Sequence, residues 1–153
     1  MITIIEDTRQ QSGKHELKHQ QFDTAGVRVM RCKLPFGDYA LPPAVAVDTK
    51  KGLEEVAKDI VNEHKRFRAE CINAYNAGTK LIILIEEESG ISSIEEVARW
   101  INPELQYRQT AVTGSRLAKS MATMRERYGV EFEFCHPADA AATILKLLGG
   151  RNE

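Results

Sequence analysis

The sequence lacks the features of secreted, disulfide-bonded and membrane-spanning proteins. Its three cysteines, Cys32, Cys71 and Cys135, are odd in number, far apart and outside any paired-cysteine motif. They predict reduced thiols rather than a disulfide framework or a zinc ribbon. The longest strongly apolar run, residues 81–85, is too short to span a membrane, and the first seven residues do not resemble a signal peptide. We therefore expect an intracellular, cytoplasmic protein with no membrane partner.

The chain also lacks a strong net charge, internal repeats and any linker rich in Pro, Gly or Ser. Its 153 residues are 42% hydrophobic and carry a net charge of −1. This length and composition predict one globular domain over residues 1–153, with enough chain for a real core. The near-neutral charge counts mildly against a nucleic-acid partner. That objection is weak, because basic residues can cluster in one region while a metal site concentrates acids in another.

Hydrophobic periodicity predicts an α/β fold. Alternating or short apolar runs predict strands over residues 2–6, 27–34, 39–41, 44–50, 81–85 and 130–135. Helical spacing predicts helices over residues 14–24, 53–77, 93–101, 115–128 and 138–148, the last ended by Gly149-Gly150, with a loop over 103–112. The early strands should form an antiparallel meander broken by Pro42-Pro43, followed by β-α-β units. We expect a mixed sheet with helices on both faces.

The most informative segment runs from residue 37 to residue 50. Residues 44–50 alternate like a half-buried strand, which places Asp48 and Lys50 side by side on one face. A second carboxylate, Asp38, arrives from the preceding glycine turn. Two carboxylates and a lysine converging on one spot suit a divalent cation and an activated water.

Asp7, at the end of the first predicted strand, is a third candidate ligand. Two or three carboxylates suffice for Mg²⁺, which usually keeps several waters. Lys50 is placed to position the attacking water or to stabilise the developing negative charge. Spacing alone also fits an edge strand with solvated charges, because an aspartate followed by Asp/Glu-x-Lys recurs by chance in charged chains.

Several motifs together resemble the nuclease domain of the XPF family of structure-specific DNA endonucleases, within the restriction-endonuclease-like PD-(D/E)xK superfamily. In that family the first strand ends in Val-Asp-x-Arg-Glu, and residues 5–10 match except that Gln10 replaces the glutamate. Residues 34–39 fit the family's Leu-Pro-x-Gly-Asp-Tyr throughout. Its Glu-Arg-Lys, followed by an acid four residues after the lysine, is matched by residues 48–50 and Glu54.

Two later segments extend the resemblance. The family's helix with a basic motif is similar to residues 64–70, and its buried strand ending in an acid is similar to residues 81–86. The resemblance implies a restriction-endonuclease-like core and a metal-dependent DNA endonuclease that uses Mg²⁺ or Mn²⁺ but no small-molecule cofactor. Its substrates would include branched or flap structures. It also implies a homodimer as a candidate assembly. We expect no counterpart of the tandem helix-hairpin-helix module that many relatives carry.

The resemblance assigns roles to individual residues. Asp7, Asp38 and Asp48 would be metal-site acids, Asp38 and Asp48 would act in catalysis, and Lys50 would be the catalytic lysine. The departures are Asp48 in place of glutamate, Thr49 in place of arginine, and Gln10. They motivate an alternative, a catalytically silent DNA-binding or scaffold module of the same fold.

Basic residues outside the metal site are candidate DNA contacts. The resemblance favours Arg66 above its neighbours, and a solvated helix face explains Arg68 equally well. The later half of the chain is locally basic, and an ordinary helix N-cap near Thr113 competes with a phosphate site there. The candidate DNA-binding residues are Arg9, Arg66, Arg68, Arg116 and Lys119.

The segment His15-Glu16-Leu17-Lys18-His19 spells a zinc-protease signature, His-Glu-x-x-His. It is a rival from another enzyme class. Lys18 between the histidines, the absence of a nearby third ligand and the polar surroundings of a solvated helix all count against it. Surface histidines are the better interpretation.

Overall fold

The fold is built on a six-stranded sheet. The computed structural model describes residues 3–11, 13–41, 45–62 and 64–149. The strands are β1 (Thr3–Glu6), β2 (Arg28–Arg31), β3 (Tyr39–Leu41), β4 (Val45–Lys50), β5 (Lys80–Glu86) and β6 (Glu131–Cys135). Across the sheet they follow the order β2-β1-β3-β4-β5-β6. The expected mixed sheet is therefore confirmed.

Six α-helices cover the two faces of the sheet in the described ranges. They are α1 (Glu16–Thr24), α2 (Leu53–Ala57), α3 (His64–Asn76), α4 (Ile94–Val97), α5 (Gly114–Tyr128) and α6 (Ala140–Gly149). Short 3-10 turns cover Pro103–Gln106, inside the predicted loop, and Pro137–Asp139. None of these helices has the length and apolar content needed to cross a membrane. All three cysteines are unpaired, as their spacing predicted.

The strand β2 lies outside the antiparallel part of the sheet. It pairs in parallel with β1, while β3 is antiparallel to both β1 and β4, and β5 is parallel to both β4 and β6. The expectation that β2 continues directly into a meander was wrong. The helix α1 carries the chain back across the sheet before β2 begins, and such a crossover joins parallel strands.

Two hydrophobic clusters flank the sheet, one on each face. The first contains Ala46 of β4 and Phe67 of α3, and it extends to α5. The second contains Val47 of β4 and Phe22 of α1, and it extends to α6. Neighbouring residues of β4 therefore face opposite layers, as its alternation predicted. This parity directs the polar end of β4 toward the α3 side.

The predicted helix over residues 53–77 is interrupted. After α2 the chain forms a π-helical turn, Lys58–Asn62, before α3 begins at His64. A π-turn adds one residue per hydrogen-bonded ring, so it shifts which side chains face the sheet. A continuous 3.6-residue period does not reveal such a shift, and this turn carries a residue of the site.

Side-chain hydrogen bonds hold the N-terminus of α4. Ser93 accepts a hydrogen bond from the backbone N–H of Glu96 at 3.1 Å, and Glu96 accepts one from Ser92 at 2.9 Å, which forms a capping box. The helix predicted over residues 93–101 ends early, at Val97. α1 begins at Glu16 rather than at residue 14. Predicted boundaries at Ile2, Pro42-Pro43, Ala44 and Gly150 lie outside the described residues.

Candidate active site

The acid and the lysine predicted on β4 lie together at the carboxyl end of the strand. Lys50 Nζ is 3.2 Å from Asp48 Oδ2, and both side chains are nearly buried. They share the α3-facing side of β4 with Ala46, because alternate residues of a strand point the same way. The expected juxtaposition is present.

A second carboxylate contacts Lys50 from the π-turn. Asp59 Oδ2 lies 2.5 Å from Lys50 Nζ, and the Phe67 ring centre lies 5.6 Å from the same nitrogen. Burial favours a lower pKa for Lys50, but the charges of Asp48 and Asp59 outweigh burial and raise the pKa above its usual value. Lys50 is therefore a fixed positive charge at neutral pH.

Asp38 reaches the site from the turn that precedes β3. Its backbone N–H donates to the Val47 carbonyl at 2.7 Å, which ties the turn to β4. Its carboxylate accepts hydrogen bonds from Thr49, from the backbone N–H at 2.7 Å and from the hydroxyl at 3.0 Å. Burial, followed by the charge of Asp48, raises the pKa of Asp38 well above its usual value.

Glu70 of α3 is a site residue that the sequence interpretation missed. Its Oε2 accepts a hydrogen bond from the Gly37 backbone N–H at 2.9 Å. Burial, followed by the charge of Asp48, raises the pKa of Glu70 to about 7. A signal was present, because Glu70 lies one helical turn after Arg66 and so shares its face of α3.

The carboxyl groups of Asp38, Asp48 and Glu70 thus converge from a turn, a strand and a helix. They line an open cleft of about 580 Å³ together with Lys50 and Asp59. The raised pKa values of Asp38 and Glu70 have a common cause, which is the crowding of negative charge in a partly desolvated place. A cation would relieve this crowding.

Asp7 is buried at the wall of the cleft, and its carboxylate is already engaged. Asp7 Oδ1 accepts a hydrogen bond from the Leu34 N–H at 2.8 Å, and Oδ2 is paired with the Arg9 guanidinium. Arg9 also donates to the Leu34 carbonyl at 2.9 Å. The hydrogen bond to Asp7 is the largest effect and raises the pKa of Arg9; burial, the next largest, opposes it, and the charge of Asp7 adds to the increase. Asp7 therefore braces Arg9 and the segment that leads to Asp38.

Comparison with known proteins places these features in a family. Residues 6–148 match the ERCC4 domain family. The chain belongs to the ERCC4 domain family. The match runs from the last residue of β1 nearly to the end of α6 and covers every residue of the cleft, and it confirms the resemblance to XPF-family nucleases. No curated protein sequence matches the chain significantly.

Solved structures share the fold of this ERCC4 domain. XPF from Aeropyrum pernix in complex with DNA superposes with a TM-score of 0.70 at 19% identity, covering 97% of this chain. A second structure, XPF from Aeropyrum pernix, superposes with a TM-score of 0.68 at 19% identity, covering 95% of this chain. The chain spans 64% and 63% of the length of those two chains. These similarities support the same α/β architecture.

The ERCC4 domain departs from the motif at three positions that can now be located. Asp48 still reaches Lys50 despite its shorter side chain, and Thr49 hydrogen-bonds the Asp38 carboxylate. Gln10 lines the cleft. Glu54, matched to the family's acid after the lysine, is exposed, whereas Asp59 contacts Lys50. The second acid that pairs with Lys50, beside Asp48, therefore comes from the π-turn and not from Glu54.

The donor set of the cleft suits a hard divalent cation. Within the described ranges, no group of three or more His, Cys, Asp or Glu side chains is already arranged to hold a metal ion. The neighbouring carboxyls of Asp38, Asp48 and Glu70 are nevertheless oxygen donors, the type that Mg²⁺ and Mn²⁺ prefer. A bound cation would offset the repulsion among these carboxylates, which the apoprotein leaves uncompensated.

The predicted DNA-binding residues separate into two groups. Arg9 and Arg66 line the cleft beside the carboxylates. Arg68, Arg116 and Lys119 lie instead in a second groove, between α3 and α5. The sequence showed that these residues are basic, but the helix packing decided which surface each one joins.

The two histidines of the zinc-protease pattern are arranged differently from a zinc site. His15 precedes the first turn of α1, and burial, followed by the charge of Lys18, lowers the pKa of His15 to about 4. His19 Nε2 lies 2.6 Å from Glu6 Oε2. Lys18, expected on a solvated face, is buried against Glu86 at 3.0 Å. The pattern therefore joins α1 to the ends of β1 and β5.

Proposed function

We propose that this protein is a divalent-metal-dependent endonuclease that hydrolyses phosphodiester bonds in DNA. The observation that carries the proposal is the convergence of Asp38, Asp48 and Glu70 beside the charged Lys50 in an open cleft. The family membership and the structural similarity to an XPF described in complex with DNA support DNA as the substrate. Branched or flap structures are the proposed preference. Cytoplasmic localisation and a homodimer remain predictions.

The three carboxylates would hold Mg²⁺ or Mn²⁺. When bound, the cation would lower the pKa of a water and offset charge on the phosphate. Thr49 fixes the Asp38 carboxylate through two hydrogen bonds, and Gly37 fixes Glu70, so the acids are oriented before the substrate arrives. We assign Asp7, first predicted as a ligand, to bracing Arg9.

Lys50 is the proposed catalytic lysine. Asp48 and Asp59 hold its ammonium group in the cleft and keep it charged. From there it can donate hydrogen bonds to the attacking water or to the developing negative charge on the phosphate. Arg9 and Arg66, on the cleft walls, would orient neighbouring phosphates.

The test is cleavage of labelled linear, flap, fork and four-way-junction DNA with Mg²⁺ or Mn²⁺. We expect Asp48→Asn and Lys50→Ala to lower the cleavage rate by about 10²-fold or more, the range for removing one group that stabilises the charge developing in the transition state. Asp23→Ala and Lys146→Ala make the same charge changes at exposed helix positions and should cleave like wild type.

A catalytically silent DNA-binding module is the second candidate, motivated by the replacements Asp48, Thr49 and Gln10. DNA binding without cleavage of any substrate would support it. In that case Asp48→Glu, which supplies the family's longer acid, should restore cleavage if reach alone is deficient. Cleavage by wild type that persists undiminished in Asp48→Asn and Lys50→Ala would refute the proposed site.

A further inference from the structure

A second groove lies on the opposite side of α3 from the cleft. It has a volume of about 300 Å³ and runs between the π-turn, α3 and α5. Its described lining contains no Asp or Glu. Its basic lining residues are His64, Arg68, Arg116, Lys119 and Arg127.

The positive charge of this groove is not balanced by neighbouring acids. Within the described part of the chain, Arg116, Lys119 and Arg127 form no ion pair with a carboxylate. Arg68 Nε donates to the Tyr128 hydroxyl at 2.9 Å, which holds the guanidinium against the end of α5. In a chain of net charge −1, this grouping is a local excess that an anion would stabilise.

The groove and the cleft cannot hold the same phosphate. Successive α-helical residues advance by about 100°, so Arg66 points about 160° to 200° away from His64 and Arg68. Arg66 lines the cleft, and the other two line the groove. The body of α3, about 10–12 Å wide, therefore separates the two anion-binding surfaces.

The shape of the basic row favours a polymer over a single phosphate. Arg116, Lys119 and Arg127 lie on one side of α5, and the first and last are separated by a helical rise of about 16 Å. That length corresponds to roughly five nucleotides at about 3.4 Å per strand step. The hydroxyls of Ser120 and Thr123 lie between the cations and add hydrogen-bonding groups.

We propose that this groove binds the phosphate backbone of a second DNA segment, distinct from the segment presented to the carboxylates. The proposal rests on the proposed function in taking DNA as the ligand. A substrate with two differently directed segments, such as a flap, would contact the cleft and the groove together. The groove would then supply part of the selectivity for branched DNA.

The experiment compares two double variants with equal charge changes. Arg116→Ala/Lys119→Ala removes two groove cations, whereas Arg125→Ala/Lys146→Ala removes two exposed cations outside the groove. Binding to labelled flap DNA and to a short single strand is measured by fluorescence anisotropy in EDTA, where metal-dependent hydrolysis cannot occur. Circular dichroism checks that both variants remain folded.

The groove variant should bind flap DNA at least about tenfold more weakly than wild type. The slope of the logarithm of the binding constant against the logarithm of the salt concentration should decrease in magnitude by about 2, because each lost contact to a duplex phosphate contributes about 0.9. Binding of the short single strand should change less, because one short segment can occupy either the cleft or the groove but cannot span both. In Mg²⁺, the groove variant should show a raised KM with kcat preserved, because the groove does not contact the reacting phosphate.

Each failure has a distinct signature. Equal affinity and salt slope in the groove variant and the control would overturn the proposal, as would equal losses on flap and single strand. The absence of DNA binding by wild type would overturn it too. Absence of cleavage, with the expected binding differences intact, would refute the endonuclease proposal and leave the groove proposal standing.

Discussion

At the residue scale, the acids near Lys50 carry more negative charge than its ammonium balances. They are Asp38, Asp48, Asp59 and Glu70, which line the cleft with Lys50. Burial and the charge of Asp48 raise the pKa of Glu70 to about 7, so its carboxyl is largely protonated below neutral pH. Cation binding must displace that proton, because a ligating carboxylate is ionised.

Glu70→Gln tests this coupling. The folded-state pKa is raised, so the stabilisation from protonated Glu70 is present at low pH and is lost as pH rises from about 4.5 through about 7. The variant should be more stable than wild-type apoprotein at pH 8, by about 1–2 kcal/mol, with no difference near pH 4. Urea unfolding at both pH values measures this.

Titration calorimetry with Mg²⁺ or Mn²⁺ in two buffers provides the second readout. The affinity of the wild-type protein for the cation should increase as pH rises through 7, because fewer protons must then be released from Glu70 on binding. The amide introduced by Glu70→Gln cannot ionise, so the variant should bind the cation more weakly and with a flatter pH profile. A variant with unchanged stability and unchanged proton release would contradict the role of Glu70.

At the element scale, the turn that presents Asp38 depends on a close approach to β4. Gly37 has a φ of +78°, and a Cβ at this position would lie 3.1 Å from Ala46 Cβ and 3.3 Å from the Val47 carbonyl oxygen. Its N–H also donates to Glu70. The glycine therefore joins the turn, the strand and α3 at the site.

Gly37→Ala should destabilise the protein and reduce cleavage. Gly26→Ala is the matched control, since Gly26 has a φ of +73° and open space where a Cβ would be. The control should lower the free energy of unfolding by about 1 kcal/mol through backbone strain alone. Gly37→Ala should lower it by about 1–3 kcal/mol more through steric overlap. Denaturant midpoints and cleavage rates measure both, and equal losses would show that the close approach is unimportant.

At the scale of the whole molecule, buried ion pairs join the α1 layer to the sheet edge that carries the cleft. The Lys18 and Glu86 side chains are only 10% and 9% exposed, and their charged atoms are 3.0 Å apart. His19 and Arg31 likewise flank the fully buried Glu6. These contacts hold α1, the helix that follows Arg9 in the chain, against the sheet.

Lys18→Met should lower the free energy of unfolding by about 3 kcal/mol, because it leaves the Glu86 charge buried without a partner. The double variant Lys18→Met/Glu86→Leu should recover most of that loss, since no unpaired charge remains. Lys14→Met, at an exposed position before α1, is the control and should change stability little. A single variant as stable as its control would show that the pair is structurally neutral.

The sequence by itself determined the local part of this protein. Strand parity placed Asp48 beside Lys50, and the glycine turn brought in Asp38, because each depends on neighbours within a few residues. The motif order was sufficient to indicate the family and the fold class.

Only the tertiary structure decided the contacts between distant segments. Helix packing and the π-turn place Glu70 and Asp59 at the site. Lys18 is buried, and β2 pairs with β1. Arg68 lines the second groove and not the cleft. Each outcome depends on which surfaces pack together, and periodicity within one segment carries no information about the partner it meets.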